Sequence, residues 1–146
     1  MRILLTGASG LFGLNFATAY SGQHSITGVV NQQHLMDTPF QVVQVELSKA
    51  GAGSALVEQM RPDLIINCAA LANLDKCESS PELAQRLNAE LPGELAQAAR
   101  QVGAKLVHFS TDAVFDGQRG NYSEDDTPAP INVYSRTKLA GEAAVL

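Results

Sequence analysis

The run Ile3-Leu4-Leu5-Thr6-Gly7-Ala8-Ser9-Gly10-Leu11-Phe12-Gly13 constrains the fold more than any other stretch of this chain. Its apolar start reads as a short strand buried on both faces. The strand breaks into a glycine-spaced turn, and the segment from Leu11 to Tyr20 then reads as a helix. A strand, a tight turn and a helix in that order aim the unpaired N–H groups and the positive dipole end of the helix at whatever lies above the strand. Gly7 would permit the turn, Gly10 would let the backbone approach an anion, and Gly13 would let helix and strand pack with no Cβ between them. Gly7, Ser9, Gly10, Leu11, Phe12 and Gly13 are therefore the expected cradle for a pyrophosphate, with no lysine required.

The same alternation continues along the chain. Strands are predicted over Arg2 to Thr6, Ser25 to Val30, Asp63 to Cys68 and Ala104 to Ser110, each a short apolar run bounded by breakers and expected to be buried on both faces; Phe40 to Leu47 is a fifth. Helices are predicted over Leu11 to Tyr20, Ala50 to Met60 and Pro81 to Val102, with a break at Pro92-Gly93, and a last one from near Asn132 to Leu146. Gly117 to Pro130 reads as an irregular surface loop with an acidic face at Glu124 to Asp126. Strand and helix in alternation imply an α/β fold, a doubly wound, Rossmann-like parallel sheet of about five strands, with ligands at the carboxyl ends of the strands. The final helix is followed by no strand to cover it. One NAD(P)-binding domain over 1–146 is therefore expected, as part of a longer enzyme whose substrate-binding region follows.

With 146 residues, 45% of them apolar, and a net charge of −5, the chain suits one globular domain and lacks the basic stretches that nucleic acid would require. No apolar stretch at the N-terminus is long enough for a signal peptide or a membrane span. Cys68 and Cys77 fit neither a disulfide framework nor zinc-ligand spacing, which suggests a reducing cytoplasm. His24, His34 and His108 are too scattered for a metal site, and His108 is expected to be a satisfied core histidine.

A dinucleotide site of this type carries an acid at the end of the second strand for the ribose hydroxyls of NAD, or a nearby base for the extra phosphate of NADP. Neither is present: Asp37 is the first acid, and no Lys or Arg lies between Arg2 and Lys49. Asn31 and its polar neighbours can hydrogen-bond a ribose or belong to a solvated loop, so NAD and NADP both stay open. Glu46-Leu47 after the third strand and Cys68-Ala69-Ala70 after the fourth are expected where the adenine and nicotinamide ends lie. Tyr134 and Lys138, four residues apart on one helix, project from the same face. A tyrosine hydroxyl is a poor acid at neutral pH, and an ammonium beside it both favours its ionised form and can bind the nicotinamide ribose. Ser110-Thr111-Asp112 ends the fifth strand, where hydroxyls reach the ligand crevice or cap a turn.

These segments, together with Asp63 to Ala70, Asp75-Lys76-Cys77-Glu78, Asn88, Ser110 to Gly117 and Tyr134 to Glu142, resemble the extended short-chain dehydrogenases, and within them the dTDP-4-dehydrorhamnose reductase family. The resemblance implies NAD(P)H-dependent reduction of a 4-keto nucleotide sugar. In it, Tyr134 is the proton donor, Lys138 its partner, and Thr111 with Asp112 holds the keto oxygen. Asn88 corresponds to a central-helix residue that helps position the lysine; its other reading is a surface helix residue. By the same resemblance Asn88, Ser110, Tyr134 and Lys138 join the cofactor site, and a homodimer is compatible with it. Ala113 stands where the family has an aromatic, and Leu71-Ala72-Asn73-Leu74 replaces a small-residue segment containing threonine; both departures fall on the sugar side. Two other functions share this pattern: epimerase or dehydratase chemistry, and a cofactor-binding regulatory subunit of a partner enzyme that turns over no sugar, as in one related group.

Overall fold

Leu4, Leu5 and Thr6 are almost wholly buried because β1 (Arg2–Thr6) lies at the centre of the sheet with apolar layers on both sides. The computed structural model describes residues 1–146. Its five strands are all parallel in the order β3-β2-β1-β4-β5, the others being β2 (Ser25–Val30), β3 (Gln41–Gln44), β4 (Leu64–Asn67) and β5 (Lys105–His108). Leu5 pairs with Gly28 on one side and Ile66 on the other. The doubly wound parallel sheet expected from the sequence is present, with β1 and β4 adjacent at the point where strand order reverses. A crevice opens there above the strand ends.

Each face has its own core. On one, Leu4, Val29 and Ile65 pack with Leu56 and Val57 of α2 (Ala52–Met60) and Leu91, Leu95, Ala98 and Ala99 of α5 (Leu91–Val102). On the other, Ile3, Leu5, Ile26, Val30 and Ile66 pack with Phe40 and with Ala17 of α1 (Leu11–Tyr20). Burying a leucine or isoleucine side chain contributes about 2 kcal/mol relative to leaving it in water, so these two layers hold the strand ends in place.

Three expectations need correction. The fifth strand is not buried on both faces: β5 is the sheet edge, its residues alternate, and Val107 is 47% exposed. A short helix α3 (Leu74–Ser79) was not anticipated; Asn73 caps it, its side chain accepting from the Lys76 amide. The predicted helix 81–102 does not break at Pro92-Gly93. Instead α4 (Pro81–Gln85) passes into a π turn over Arg86–Glu90 and then into α5, with Pro92 in its first turn. A proline ring clashes with the carbonyl four residues earlier and offers that carbonyl no N–H. For Pro92 that residue is Asn88, in the middle of the π turn, so the disturbance is absorbed one turn upstream as a widened turn rather than a break. The last helix, α6 (Val133–Val145), starts where the sequence indicates, with Asn132 and Ser135 forming a reciprocal capping box.

Candidate active site

The crevice is a cavity of about 520 Å³. Gly7, Ser9, Gly10, Asn31, Glu46, Leu47, Cys68, Ala69 and Ala70 all line it, so the expected cradle, ribose, adenine and nicotinamide positions converge on one groove. Gly7 has φ +67°, and a Cβ there would stand 2.8 Å from the carbonyl of Cys68. The first turn is therefore closed to any other residue. A Cβ on Gly13 would lie 2.4 Å from the Gly7 carbonyl, so this glycine seats α1 against the turn rather than facing the groove. The N-cap of α1 is Gly10, which has no side chain to satisfy the opening amides. They are left for a ligand, as an anion-binding helix terminus requires.

Other assigned residues lie elsewhere. The side chains of Leu11 (87% exposed) and Phe12 do not line the groove; Phe12 packs on Phe16 and Phe109, so what these two can offer a phosphate is backbone N–H. Asn88 is fully buried, which removes its surface-helix reading and any direct cofactor contact. Its carboxamide donates to the Leu71 carbonyl and to Thr137 Oγ1 and accepts from the Leu71 amide, tying the loop after β4 to α6. It orients the helix that carries Tyr134 and Lys138.

Those two residues sit on α6, Tyr134 half-buried and Lys138 only 3% exposed. The ammonium of Lys138 donates to the Phe109 carbonyl at the end of β5 and not to Tyr134. Burial lowers the lysine's pKa from its ordinary value, and the nearby Glu142 and Cys68 oppose that shift. Burial in turn pushes the Cys68 thiol up to about 11, with Lys138 acting against it. The Phe109 amide donates to the carbonyl of Asn67, the neighbour of Cys68, so hydrogen bonds link Lys138 to the groove-lining end of β4.

Ser110 donates to Glu142 instead of facing the groove. The Thr111 hydroxyl accepts from the Ala113 amide and so caps a 3₁₀ turn, Asp112–Val114. Its proton points at Asp112 Oδ1 across a long 3.4 Å. The capping reading of Thr111 holds, and neither Thr111 nor Asp112 lines the groove.

A buried chain of hydrogen bonds fixes the strand ends beneath these groups. Thr6 Oγ1 accepts from the Ala69 amide and donates to Asn67 Oδ1 at 2.6 Å, and Asn67 Nδ2 donates to His108 Nδ1 at 3.0 Å. The neutral ring then carries its proton on Nε2, which has no partner, so His108 is only half satisfied. Burial, with Lys138 nearby, depresses its pKa to about 4.

Gln32, one of the polar neighbours of Asn31, lines the groove too, and sequence reasoning missed Ser48, Lys76, Leu83 and Leu87, which also line it. Lys76 comes from α3, too short to show a period, while Leu83 and Leu87 lie in the predicted helix from Pro81, whose sequence does not tell which of its faces meets the groove. Glu142 was legible: it lies four residues beyond Lys138 on the same helix face. Lys49 and Ser48 hold the exposed Glu46 carboxylate below its usual range, so it meets the groove as an anion.

A family described as the RmlD substrate binding domain matches residues 1–146. The chain belongs to that family. The beta subunit of methionine adenosyltransferase 2 from Rattus norvegicus is 40% identical over 145 residues, 99% of this chain and 42% of that protein. The crystal structure of a hypothetical dTDP-4-dehydrorhamnose reductase from Sulfolobus tokodaii superposes with a TM-score of 0.93 at 38% identity, covering 100% of this chain and 52% of that one. The dTDP-4-dehydrorhamnose reductase of Bacillus anthracis, in complex with NADP, has a TM-score of 0.75 at 33% identity over 99% of this chain and 48% of that one. The chain spans about half the length of the relatives it matches. It is related to NAD(P)-dependent reductases of the extended short-chain type.

Proposed function

We propose that this chain is the dinucleotide-binding and proton-donating part of an NAD(P)H-dependent reductase acting on a 4-keto nucleotide sugar, of the dTDP-4-dehydrorhamnose reductase kind. One observation supports the reading: a groove with an uncapped helix N-terminus at its floor is lined by Cys68, whose neighbour Asn67 accepts from the Phe109 amide while the Phe109 carbonyl accepts from Lys138 of α6. The groove's glycines fit a dinucleotide because the space a Cβ would fill at Gly7 is taken by the β4 carbonyl, leaving the opening amides of α1 bare. When bound, a nicotinamide supplies the hydride. The protein's part is to hold the sugar's keto oxygen with Thr111, with Asp112 beside it, and to deliver a proton to that oxygen from the Tyr134 hydroxyl, turning C=O into CH–OH. Lys138 holds positive charge at the end of β5 next to that transfer. In the full-length protein, Tyr134→Phe should abolish ketosugar-dependent NAD(P)H oxidation while leaving dinucleotide affinity within about twofold, since only a hydroxyl is lost. Undiminished turnover would overturn the assignment of the acid.

A second reading has support of its own in the likeness to the methionine adenosyltransferase beta subunit, namely a cofactor-binding regulatory chain that accompanies a partner enzyme. A stoichiometric complex with another enzyme, with no reductase activity across a panel of nucleotide sugars, would favour it.

A further inference from the structure

The wall of the groove formed by Glu46, Leu47 and Ser48 is a loop between β3 and α2 that is anchored in the core by Leu47 and braced locally by Lys49 and Ser48 on the Glu46 carboxylate, while its Ser48 and Lys49 carbonyls take partners from outside the loop. Helix α2 opens on Gly51, which supplies no side-chain cap. Two residues of the central helix supply the partners and the cap. Arg86 Nε donates to the Ser48 carbonyl at 3.2 Å, and its Nη2 donates to the Lys49 carbonyl at 3.0 Å and to Glu94 Oε2 at 2.5 Å. Glu94 Oε1 accepts from the Ser54 amide at 2.8 Å, so it caps α2 from a different helix. Gly53 makes room for that carboxylate, for a Cβ there would lie 3.0 Å from Oε1. Both side chains are shielded, Arg86 12% and Glu94 15% exposed. Burial would raise the Glu94 pKa, but the Ser54 amide and Arg86 outweigh it and leave the carboxyl below its usual range.

The pair meets because of the π turn. Two α turns consume about seven residues, and a π turn takes up roughly one more, so residues eight apart stand one above the other. Arg86 and Glu94 are separated by that interval across the turn at Arg86–Glu90, Arg86 meeting the loop before α2 and Glu94 its first turn.

We propose that Arg86 and Glu94 are positioning residues for the adenosine half of the groove, fixing the Glu46–Ser48 wall without touching the ligand. This rests on the dinucleotide reading above. Neither side chain lines the cavity, and the hydrogen bonds of the pair run to Ser48, Lys49 and Ser54, none to the opening of α1 or the end of β5. Its loss should therefore be felt at one end of the ligand only.

The test is ligand-observed NMR titration of the chain with 5′-AMP and, separately, nicotinamide mononucleotide, with circular dichroism to check folding. Arg86→Met and Glu94→Gln should each weaken AMP about tenfold or more, the usual effect of losing a charge-assisted hydrogen bond, and leave the mononucleotide within about twofold. Arg86→Lys, which keeps the charge but not the fork, should recover part of the AMP affinity. A general loosening of the fold would weaken both ligands together, and that result, or unchanged AMP binding by folded Glu94→Gln, overturns this inference alone. A wild-type chain that binds neither AMP nor NADH overturns the dinucleotide reading and this one with it.

Discussion

Replacing Gly141 with alanine sets two effects of opposite sign against each other. Gly141 is an ordinary helical position in α6, so alanine should stabilise the helix by about 1 kcal/mol through propensity alone. A Cβ there, however, would stand 2.1 Å from the Asn88 carbonyl oxygen and 3.4 Å from His108 Nε2. The first contact is with backbone that cannot swing away, so α6 has to retreat by about 1 Å before it becomes tolerable. A retreat of that size stretches the Asn88–Thr137 hydrogen bond, 3.1 Å in the native chain, past useful length, and pulls Lys138 from the Phe109 carbonyl. Overpacking of this kind costs about 1–3 kcal/mol, and a buried carboxamide that loses a partner adds about 1 kcal/mol. Packing wins: Gly141→Ala should be net destabilising by about 1–3 kcal/mol, lowering Tm by roughly 2–12 °C. Because α6 carries Tyr134 and Lys138, the proposed reductase turnover should fall by about tenfold to a hundredfold, the usual effect of misplacing a reacting group by 1 Å. Thermal unfolding followed by circular dichroism gives the first quantity and steady-state kinetics the second. A variant more stable than the parent would refute the reasoning, because it would mean that α6 and the π turn are not in fixed contact.

Two further outcomes follow from the site. His108 has its folded pKa depressed to about 4, so between its ordinary value of 6.5 and about 4 the unfolded chain binds a proton that the folded chain refuses. Stability should fall as pH drops through that window, and His108→Gln, which still offers Asn67 an acceptor, should flatten the slope in urea unfolding between pH 6.5 and about 5; equal slopes would argue against a buried neutral ring. Gly7→Ala places a methyl 2.8 Å from the Cys68 carbonyl at a left-handed φ, which should cost about 1–3 kcal/mol and remove measurable NADH binding. Unchanged affinity by fluorescence titration would mean that the turn is not the phosphate cradle.

Sequence reasoning reached furthest where local chemistry and tertiary packing agree. The helix from Leu11 to Tyr20 and the strands Arg2–Thr6 and Ser25–Val30 have the bounds expected from glycine punctuation and apolar runs, and Asn132 begins α6 because its side chain satisfies an amide that no carbonyl can reach. The groove was legible for a related reason, since a glycine turn after a central strand can hardly face anywhere else. What stayed hidden depends on contacts distant in sequence. An apolar run such as Leu106-Val107 does not say that its strand lies at the sheet edge with one face thinly covered. Nor could Pro92 alone say whether its clash breaks the helix or widens the turn before it. That choice is coupled to Gly141, which lets the Asn88 carbonyl lie against α6. Asn88 itself could be recognised only by resemblance, because the backbone groups it satisfies lie 17 residues away at Leu71.

The widened turn at Arg86–Glu90 acts as a phase shifter in the middle of a long helix. Upstream of it the register points Arg86 at one loop, within it Asn88 is dialled toward another, and downstream Glu94 comes back into step with Arg86. Deleting a single residue there would leave composition and hydrophobicity almost untouched and, because a π turn holds about one residue more than an α turn, would keep the flanking segments in step while closing the bulge that carries Asn88. Removal of Ala89, which does not line the groove, would draw Asn88 away from Leu71 and Thr137 and so untie the loop after β4 from α6, which puts the length of this segment under tighter constraint than most of its side chains.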